Sequence, residues 1–308
     1  MTPTVSVIVP TFNRPHLLAE ALASVAAQTG VEVEAVVVND GGQDVKPVIE
    51  QATPSLETRL ITLEANQGLP AARNAALDAA AGEYVAFLDD DDVFLPGHLA
   101  TAVAVLRAAG VDVAYTSCSV SPRRVTPSRG PVHADHVFDF PFHAEALHVA
   151  NYIPVTPVVA RNLPADARFD ETLPVEEDWD MWLRLHHHHA AQFVHVPKET
   201  VVYHRVADTA SMTNGTGAGV GAALTVFRST HHQLMTRWPV PAGGAADLGR
   251  RYLLAAYAIA DEELAAGRHV SPFYYERVIR LLYGLVTGTV GEAGLRDRLA
   301  DAVTREDS

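Results

Sequence analysis

Gly82-Glu-Tyr-Val-Ala-Phe-Leu-Asp-Asp-Asp-Asp92 is the stretch that decides the fold. Its first half is a short apolar run holding aromatic and β-branched residues, the composition of a strand buried on both faces. Its second half is four consecutive acids, which a buried strand cannot carry onward. A strand that stops so abruptly delivers its charge to one edge of a sheet. Upstream, Val5-Ser-Val-Ile-Val9 is a similar run ending at Pro10, and Val33 to Val38 closes on Asn39-Asp40-Gly41-Gly42. Thr58 to Leu63 reads as a third strand, Glu83 to Leu88 as the fourth, and Val111 to Cys118 as a further one. Between them the apolar positions change to helical spacing. Leu18, Ala21, Leu22 and Val25 mark one helix, with Asn13 as its expected cap and Pro15 in the first turn. Gly68 to Ala81 and Pro96 to Ala109 mark two more. Strands alternating with helices predict an α/β protein with a mostly parallel, Rossmann-like sheet and helices on both faces. Ligands of such open sheets sit beyond the carboxyl ends of the strands. Here those ends are Pro10-Thr11, Asn39-Asp40 and Asp89 to Asp92.

The second half is less regular. Ser121 to His136 holds Arg123, Arg124, Arg129 and three prolines, and reads as a solvated loop. After Asp178 a helix carries Trp179, Trp182, Leu183 and His186 on one face. Two short strands are expected near Phe193-Val194 and over Thr200 to Tyr203. Thr209 to Gly221 is rich in Gly, Ser and Thr and reads as a mobile loop. Beyond it the pattern is helical: Leu248, Tyr252, Ala255, Ala256 and Ile259 share one face, and Val278, Leu281, Leu282 and Leu285 another. These stripes suit core packing or a subunit contact, and the Phe273-Tyr274-Tyr275 cluster suits packing. The expected division is therefore 1–215 for an α/β domain with its ligand edge and 216–308 for a C-terminal helical region.

Composition sets the outer bounds. A chain of 308 residues fills one large or two modest domains, and 48% apolar residues against 19% charged excludes wholesale disorder. The net charge of −14 repels polyanions, so nucleic acid is not an expected partner. Cys118 is the single cysteine, which excludes an internal disulfide and a multi-cysteine zinc site. No apolar run approaches the roughly 18 residues that span a bilayer, and Met1 to Pro10 has no basic n-region. The expectation is a cytoplasmic protein with neither transmembrane segment nor signal peptide.

Four features could carry chemistry. The Asp89 to Asp92 run would ordinarily be a solvated charge patch, but its delivery by a buried strand crowds like charges at the ligand edge. A cation relieves that crowding, and carboxylate oxygens suit Mg2+ or Mn2+, which also bind substrate phosphates. Val175-Glu-Glu-Asp-Trp-Asp180 opens a helix, where acids complement the dipole; one of them could equally serve as a general base. Arg73 sits near a helix N-terminus, a place that holds phosphates. His186 to His189 has the wrong spacing for a metal pair and reads as a partly packed helix end.

In order and spacing, these pieces resemble the inverting GT-A glycosyltransferases of family 2. Val5-Ser-Val-Ile-Val-Pro-Thr-Phe-Asn-Arg14 is similar to the family's opening strand and nucleotide loop, and Val36-Val-Val-Asn-Asp-Gly41 to its second strand. Asn66-Gln-Gly-Leu-Pro-Ala-Ala-Arg-Asn74 and the Asp-x-Asp motif within Gly82 to Asp92 follow in the family's sequence. Phe169-Asp-Glu-Thr-Leu173 and Glu177-Asp-Trp-Asp-Met-Trp-Leu-Arg184 resemble its acceptor side, with the catalytic acid pair. The likeness spans roughly residues 4–206.

The resemblance implies transfer from a nucleoside diphosphate sugar, with UDP as the default nucleotide, to a hydroxyl or other nucleophile. By the same resemblance Pro10, Thr11, Phe12, Arg14, Asp40, Arg73, Asp89 and Asp90 bind the donor. Asp91 ligates Mn2+ or Mg2+, with His204 as a further metal ligand. Asp178 is the base, with Glu177 the second candidate. Asn39 and Gly42 depart from the family's usual acid and Ser. The alternatives are a nucleotidyltransferase, disfavoured because Pro10 to Leu18 lacks glycine, and a non-catalytic sugar-nucleotide-binding scaffold. A homo-oligomer through the C-terminal helices is a further expectation.

Overall fold

β1 (Val5–Thr11) and β2 (Val33–Asn39) run parallel as inner strands of a sheet, and every position in them is buried apart from Val33. The computed structural model describes residues 4–126, 136–161, 163–206 and 220–305. α1 (Pro15–Ala26), α2 (Lys46–Ala52) and α3 (Leu69–Ala79) connect β1, β2, β3 (Glu57–Thr62) and β4 (Tyr84–Phe87) as right-handed crossovers would require, and all four strands are parallel. Register then fixes the ligand edge. Thr11 lies opposite Asn39, and Ile8 lies opposite Phe87, so the chain leaving β4 emerges level with the end of β1.

Beyond β4 the sheet becomes mixed. β5 (Val93–Phe94) and α4 (His98–Ala109) lead to β6 (Val113–Ser121), then β7 (His136–Phe138), α5 (Ala144–Leu147) and β8 (Val158–Arg161). α6 (Glu177–His189) precedes β9 (Phe193–His204). Among the described residues the sheet has nine strands in the order β3-β2-β1-β4-β8-β6-β9-β5, with β7 on the other end of β6. β8 is antiparallel to both β4 and β6, while β9 is parallel to β6. The mostly parallel α/β sheet expected from sequence is present.

Several details differ from the sequence reading. The two strands expected around 193 and 200–203 are one strand, β9, whose register slips opposite Thr116 to Cys118. Pro197 lies in the slipped stretch, where its missing N–H cannot join a regular ladder. Asn13 does not cap α1. Pro15 takes the first helical position, so Arg14 falls at the cap, and Asn13 adopts φ +57° and accepts a hydrogen bond from the Gln43 N–H instead. The stretch 127–135 of the expected arginine loop, with Arg129, and residues 209–219 of the expected mobile loop lie outside the described residues.

The chain divides into two compact units. The first comprises 1–141, 153–172 and 184–206; the second comprises 142–152, 173–183 and 207–308. In this partition α5 with its flanks, the first half of α6 and residues from 207 onward are grouped with the helical region. In that unit α7 (Val220–Arg237), α8 (Ala245–Ala265), α9 (Tyr274–Val286) and α10 (Leu295–Thr304) follow one another. α8 buries Ala246, Gly249, Arg250, Leu253, Ala256, Tyr257, Ile259 and Ala260, a face that keeps Ala256 and Ile259 of the expected stripe and is rotated slightly from the rest of it. Gly249 is required by close approach, since a Cβ there would stand 2.7 Å from a Val149 methyl. The Arg250 guanidinium donates to the carbonyls of His148, Met235 and Trp238, and its burial lowers its pKa to about 10. It is still a cation at neutral pH and ties three chain segments together. The large apolar side chains left exposed among the described residues are Phe12 and Val226. Among the described residues no helix is long and apolar enough to cross a membrane.

Candidate active site

The acidic run turns as soon as it leaves β4. Leu88 N–H still bonds Ile8 O at 3.0 Å, and Asp92 N–H already bonds back to Asp89 O at 3.0 Å. That tight turn sends the four carboxylates in different directions. Asp89 accepts from Arg73 Nη2 at 2.6 Å. Asp90 accepts from Thr11 Oγ1 at 2.7 Å, and Arg14 Nη2 stands 2.5 Å from its other oxygen. Asp91 accepts from Arg14 Nη1 at 3.0 Å. Asp92 turns into the core, where it accepts from the His204 N–H at 2.8 Å and from Thr156 Oγ1 at 2.9 Å. The structure therefore brings Thr11, Arg14, Arg73 and Asp89 to Asp91 together, and sets Asp92 apart as a structural acid that links β9 to the turn.

Burial and crowding set the charge of this edge. Burial pushes the Asp90 carboxyl up to about 7, against the pull of Arg14 and with the push of Asp91. Asp91 is raised for the same leading reason, again opposed by Arg14. Asp92 is raised well above the ordinary range by burial, then by Asp91 and Asp89, which favours its neutral form. Burial alone would lower the Arg14 guanidinium, but Asp90, Asp91 and Asp89 outweigh it and hold the cation. Arg73 is 1% exposed, and its guanidinium lies 5.4 Å from the Phe169 ring centre. Asn74 fixes that ring by bonding both the N–H and the C=O of Phe169 at 2.9 Å.

The neighbouring loop is built on Asp40. Its two carboxylate oxygens accept the N–H groups of Gln67 at 2.7 Å and Gly68 at 2.9 Å, just where α3 begins. Gly41 has φ +71°, and a Cβ there would lie 2.4 Å from the Ala65 carbonyl carbon, so only glycine lets these two loops touch. The departures at Asn39 and Gly42 explain each other. The Asn39 amide donates to Gln43 O at 2.8 Å while its oxygen accepts the Gly42 N–H at 2.9 Å, and a carboxylate could do only the second. A Cβ at residue 42 would stand 2.9 Å from Asn13. Pro10 is buried in β1, whereas Phe12, just past the end of that strand, is 41% exposed.

His204 was expected to reach a metal, and its geometry argues otherwise. Nδ1 lies 2.7 Å from Asp91 O and Nε2 accepts the Val125 N–H at 3.0 Å, so both ring nitrogens are engaged. Burial lowers its pKa to about 4, keeping it neutral. It braces the turn from behind. Arg124, read from sequence as part of a solvated loop, does the same by donating to Asp91 O at 2.7 Å. Neither its role nor that of Thr156 has a local sequence signal. At the histidine run, the His186 and His187 rings pack 5.0 Å apart and His189 Nε2 is 3.6 Å from Asp166. Among the described residues no three or more His, Cys, Asp or Glu side chains form a ready metal cage.

The expected base and its neighbour belong to the second unit. Asp178 is half-buried, and its Oδ1 accepts from Asn151 Nδ2 at 3.0 Å and from the Trp179 N–H at 2.9 Å. Glu177 is buried. Trp179 is locked by its Nε1–H bond to Leu147 O at 2.6 Å, and Asp180 by Arg237 and Trp238, each at 2.9 Å. Asn151 lies 27 residues upstream of the acid it holds, too far for any motif to reveal.

An open, mostly parallel sheet with acids, arginines and a threonine gathered at its carboxyl edge defines a nucleotide-binding α/β protein of the GT-A type. The comparisons place it more narrowly. The profile of glycosyl transferase family 2 matches residues 6–152. The uncharacterized glycosyltransferase YwdF of Bacillus subtilis (strain 168) is 32% identical over 202 residues, covering 65% of this chain and 73% of that protein. The succinoglycan biosynthesis protein ExoO of Rhizobium meliloti (strain 1021) is 38% identical over 118 residues, 38% of this chain and 34% of its own length. Among solved structures, the mannosyltransferase PcManGT from Pyrobaculum calidifontis, in complex with GDP-Man and Mn2+, aligns with a TM-score of 0.56 and 20% identity over 98% of this chain and 86% of that one. S. aureus TarS 1–349 aligns with a TM-score of 0.53 and 18% identity over 97% and 90%. The chain belongs to glycosyltransferase family 2, has the GT-A fold and is a glycosyltransferase.

Proposed function

We propose that this glycosyltransferase is metal-dependent and inverting, and that it moves a sugar from a nucleoside diphosphate sugar, UDP-linked by preference, onto a hydroxyl or other nucleophilic acceptor. One observation carries the reading: β4 delivers Asp89, Asp90 and Asp91 to the sheet edge already flanked by Thr11, Arg14 and Arg73. Solved neighbours in complex with UDP, UDP-GlcNAc and GDP-Man with Mn2+ support a donor of this class.

The residues fit a divalent cation. Crowded carboxylates with raised pKa values gain from a nearby cation, and an ion of the Mg2+ type needs only one or two carboxylates when phosphates supply the rest. Asp91 would hold Mn2+ or Mg2+, with Asp89 beside it. Bound there with a diphosphate, the ion supplies charge neutralisation for the leaving group. The chain's own residues do the rest. Asp40 and Thr11 line the nucleobase side, and the exposed Phe12 ring offers it a stacking face. Arg14 and Arg73 balance acid charge at the phosphate and ribose side. Asp178, its Oδ1 fixed by Asn151 and by the Trp179 N–H, takes the acceptor's proton. One base acting in one displacement inverts the anomeric centre, as in inverting hydrolases. The helical unit, which holds this acid, is assigned to the acceptor.

The test is a thermal-shift panel of UDP-, GDP- and dTDP-sugars with and without Mn2+, read beside nucleoside diphosphate release. Asp91→Ala should abolish the Mn2+-dependent shift. Asp178→Asn should keep the shift and lose turnover. Full turnover in the Asp178 variant removes the base assignment, and a panel with no shift removes the donor class.

A further inference from the structure

Just before the acid pair, Glu176 stands at φ +62°, a left-handed conformation that a side chain with a Cβ occupies at a cost. Its carbonyl accepts the Asp180 N–H at 3.2 Å, so Glu176 is the residue from which α6 starts. Residues at this place usually fold their side chain back over the helix end. Glu176 does not. Its side chain is 4% exposed and faces a cluster drawn from α7, α8 and α9. Oε1 accepts from Tyr275 OH at 3.2 Å and lies 3.3 Å from His231 Nε2. His231 is fully buried, packs edge-on against Trp179 at 5.1 Å, and its Nδ1 is 3.0 Å from Tyr257 OH. Burial, with Glu176 next in effect at Tyr275, raises both tyrosines well above 10, so they keep their protons and donate. The Tyr257 hydroxyl and Nδ1 thus share one hydrogen bond of the cluster, and Nε2 faces Glu176. The second oxygen, Oε2, is buried and accepts no hydrogen bond from the described residues. A strained backbone joined to an incompletely satisfied buried carboxylate is a costly arrangement, and such arrangements persist where geometry is in demand.

We infer that Glu176 and His231 form a positioning device, in which the buried Tyr257–His231–Glu176–Tyr275 cluster holds residue 176 in its left-handed conformation and thereby fixes the direction in which α6 presents Glu177 and Asp178. This rests on the reading of Asp178 as the base. The physical chain is short. Without the anchor, residue 176 relaxes toward φ < 0, the first turn of α6 rotates, and Asp178 leaves Asn151, the donor from outside the helix that orients its Oδ1. The donor residues lie in the other unit and are untouched.

The experiment compares His231→Ala, Glu176→Gln and His231→Gln, the last retaining an N–H donor of similar reach, with Asp178→Asn. Two readouts are taken well below each variant's Tm. One is amide hydrogen exchange over 174–182, with α9 as reference. The other is nucleoside diphosphate release to water from UDP-GlcNAc and GDP-mannose. His231→Ala and Glu176→Gln should speed exchange over 174–182 at least tenfold with α9 unchanged. They should lower kcat at least tenfold with donor KM within twofold, and His231→Gln should recover part of both. Unchanged exchange over 174–182 overturns the inference. So does faster exchange with kcat intact, since the cluster would then serve stability alone. If Asp178→Asn is inactive while His231→Ala is fully active, the device fails and the base stands; if Asp178→Asn is active, it is the base assignment that fails.

Discussion

Asp40→Asn separates two roles that one carboxylate could hold. The resemblance gives Asp40 to the nucleobase, yet both of its oxygens already accept backbone N–H groups, from Gln67 at 2.7 Å and Gly68 at 2.9 Å. Asparagine keeps one oxygen and turns an NH2 group toward the other N–H. One charge-assisted bond, about 1.5–3 kcal/mol, is lost, and two donors now face each other. At 4% exposure, water has little access to repair the mismatch. A loss of about 3 kcal/mol follows, which for a unit of this size lowers Tm by roughly 6–12 °C. The damage sits where α3 begins, and α3 carries Arg73. Affinity should therefore fall for UDP and GDP alike, by about tenfold or more. Calorimetric unfolding without ligand gives the first number, and isothermal titration with the two nucleotides gives the second. A Tm within 2 °C of the parent, together with a changed preference between uracil and guanine, would refute this reasoning and make Asp40 a base reader alone.

Other perturbations probe the core behind this edge and the edge itself. Burial holds His98 down to about 3 from 6.5, so the unfolded chain binds a proton below pH 6.5 that the folded chain refuses, and stability is lost as pH falls through that window. His98→Phe should remove about 2–3 kcal/mol of the decline between pH 6.5 and 4.5, measured by urea unfolding; parallel curves for variant and parent count against it. Gly41→Ala must displace the Ala65 backbone from 2.4 Å and adopt φ +71°, so nucleotide binding should drop below detection in titration calorimetry while the second unit's helices keep their exchange protection. Arg14→Met removes the cation that flanks both Asp90 and Asp91, whose carboxyls are already raised. Because acids raised in the folded state lose stability as pH rises, the variant should be destabilised more at pH 8 than at pH 6, and an equal loss at both would be the contrary result.

The sequence disclosed what depends on short range and withheld what depends on partners. β4 and its acidic end were legible because an apolar run and an abrupt charge run sit side by side, and the parallel core followed from strand–helix alternation. β8 was not, because Val158–Arg161 is four residues long and its place between β4 and β6 is a long-range pairing. β9 was split in two because Pro197 and the exposed Lys198 and Glu199 interrupt its apolar pattern. Asn13 looked like a cap by residue type, but Pro15 fixes where the helix starts and leaves Asn13 one position early. The four acids were legible as a group and illegible as individuals. Which of them faces inward depends on Thr156 and His204, contributed from 64 and 112 residues away.

That sorting bears on how much negative charge the edge presents. Counted from sequence, the run offers four charges, more than a divalent ion shared with a diphosphate could use. Asp92 is buried, bonded on both oxygens and driven toward its neutral form. Asp90 is held between Thr11 and Arg14, with its carboxyl raised to about 7. Asp89 is the most open of the four and pairs with Arg73, while Asp91 shares Arg14 with Asp90. The fold thus engages Asp90 and Asp92 in shaping the turn, and the proposed function assigns the donor and its cation to Asp89 and Asp91, alternate residues of one tight turn. The middle residue of the Asp-x-Asp pattern then does a different job from the outer two: it fastens the turn to β1 through Thr11 and to the start of α1 through Arg14.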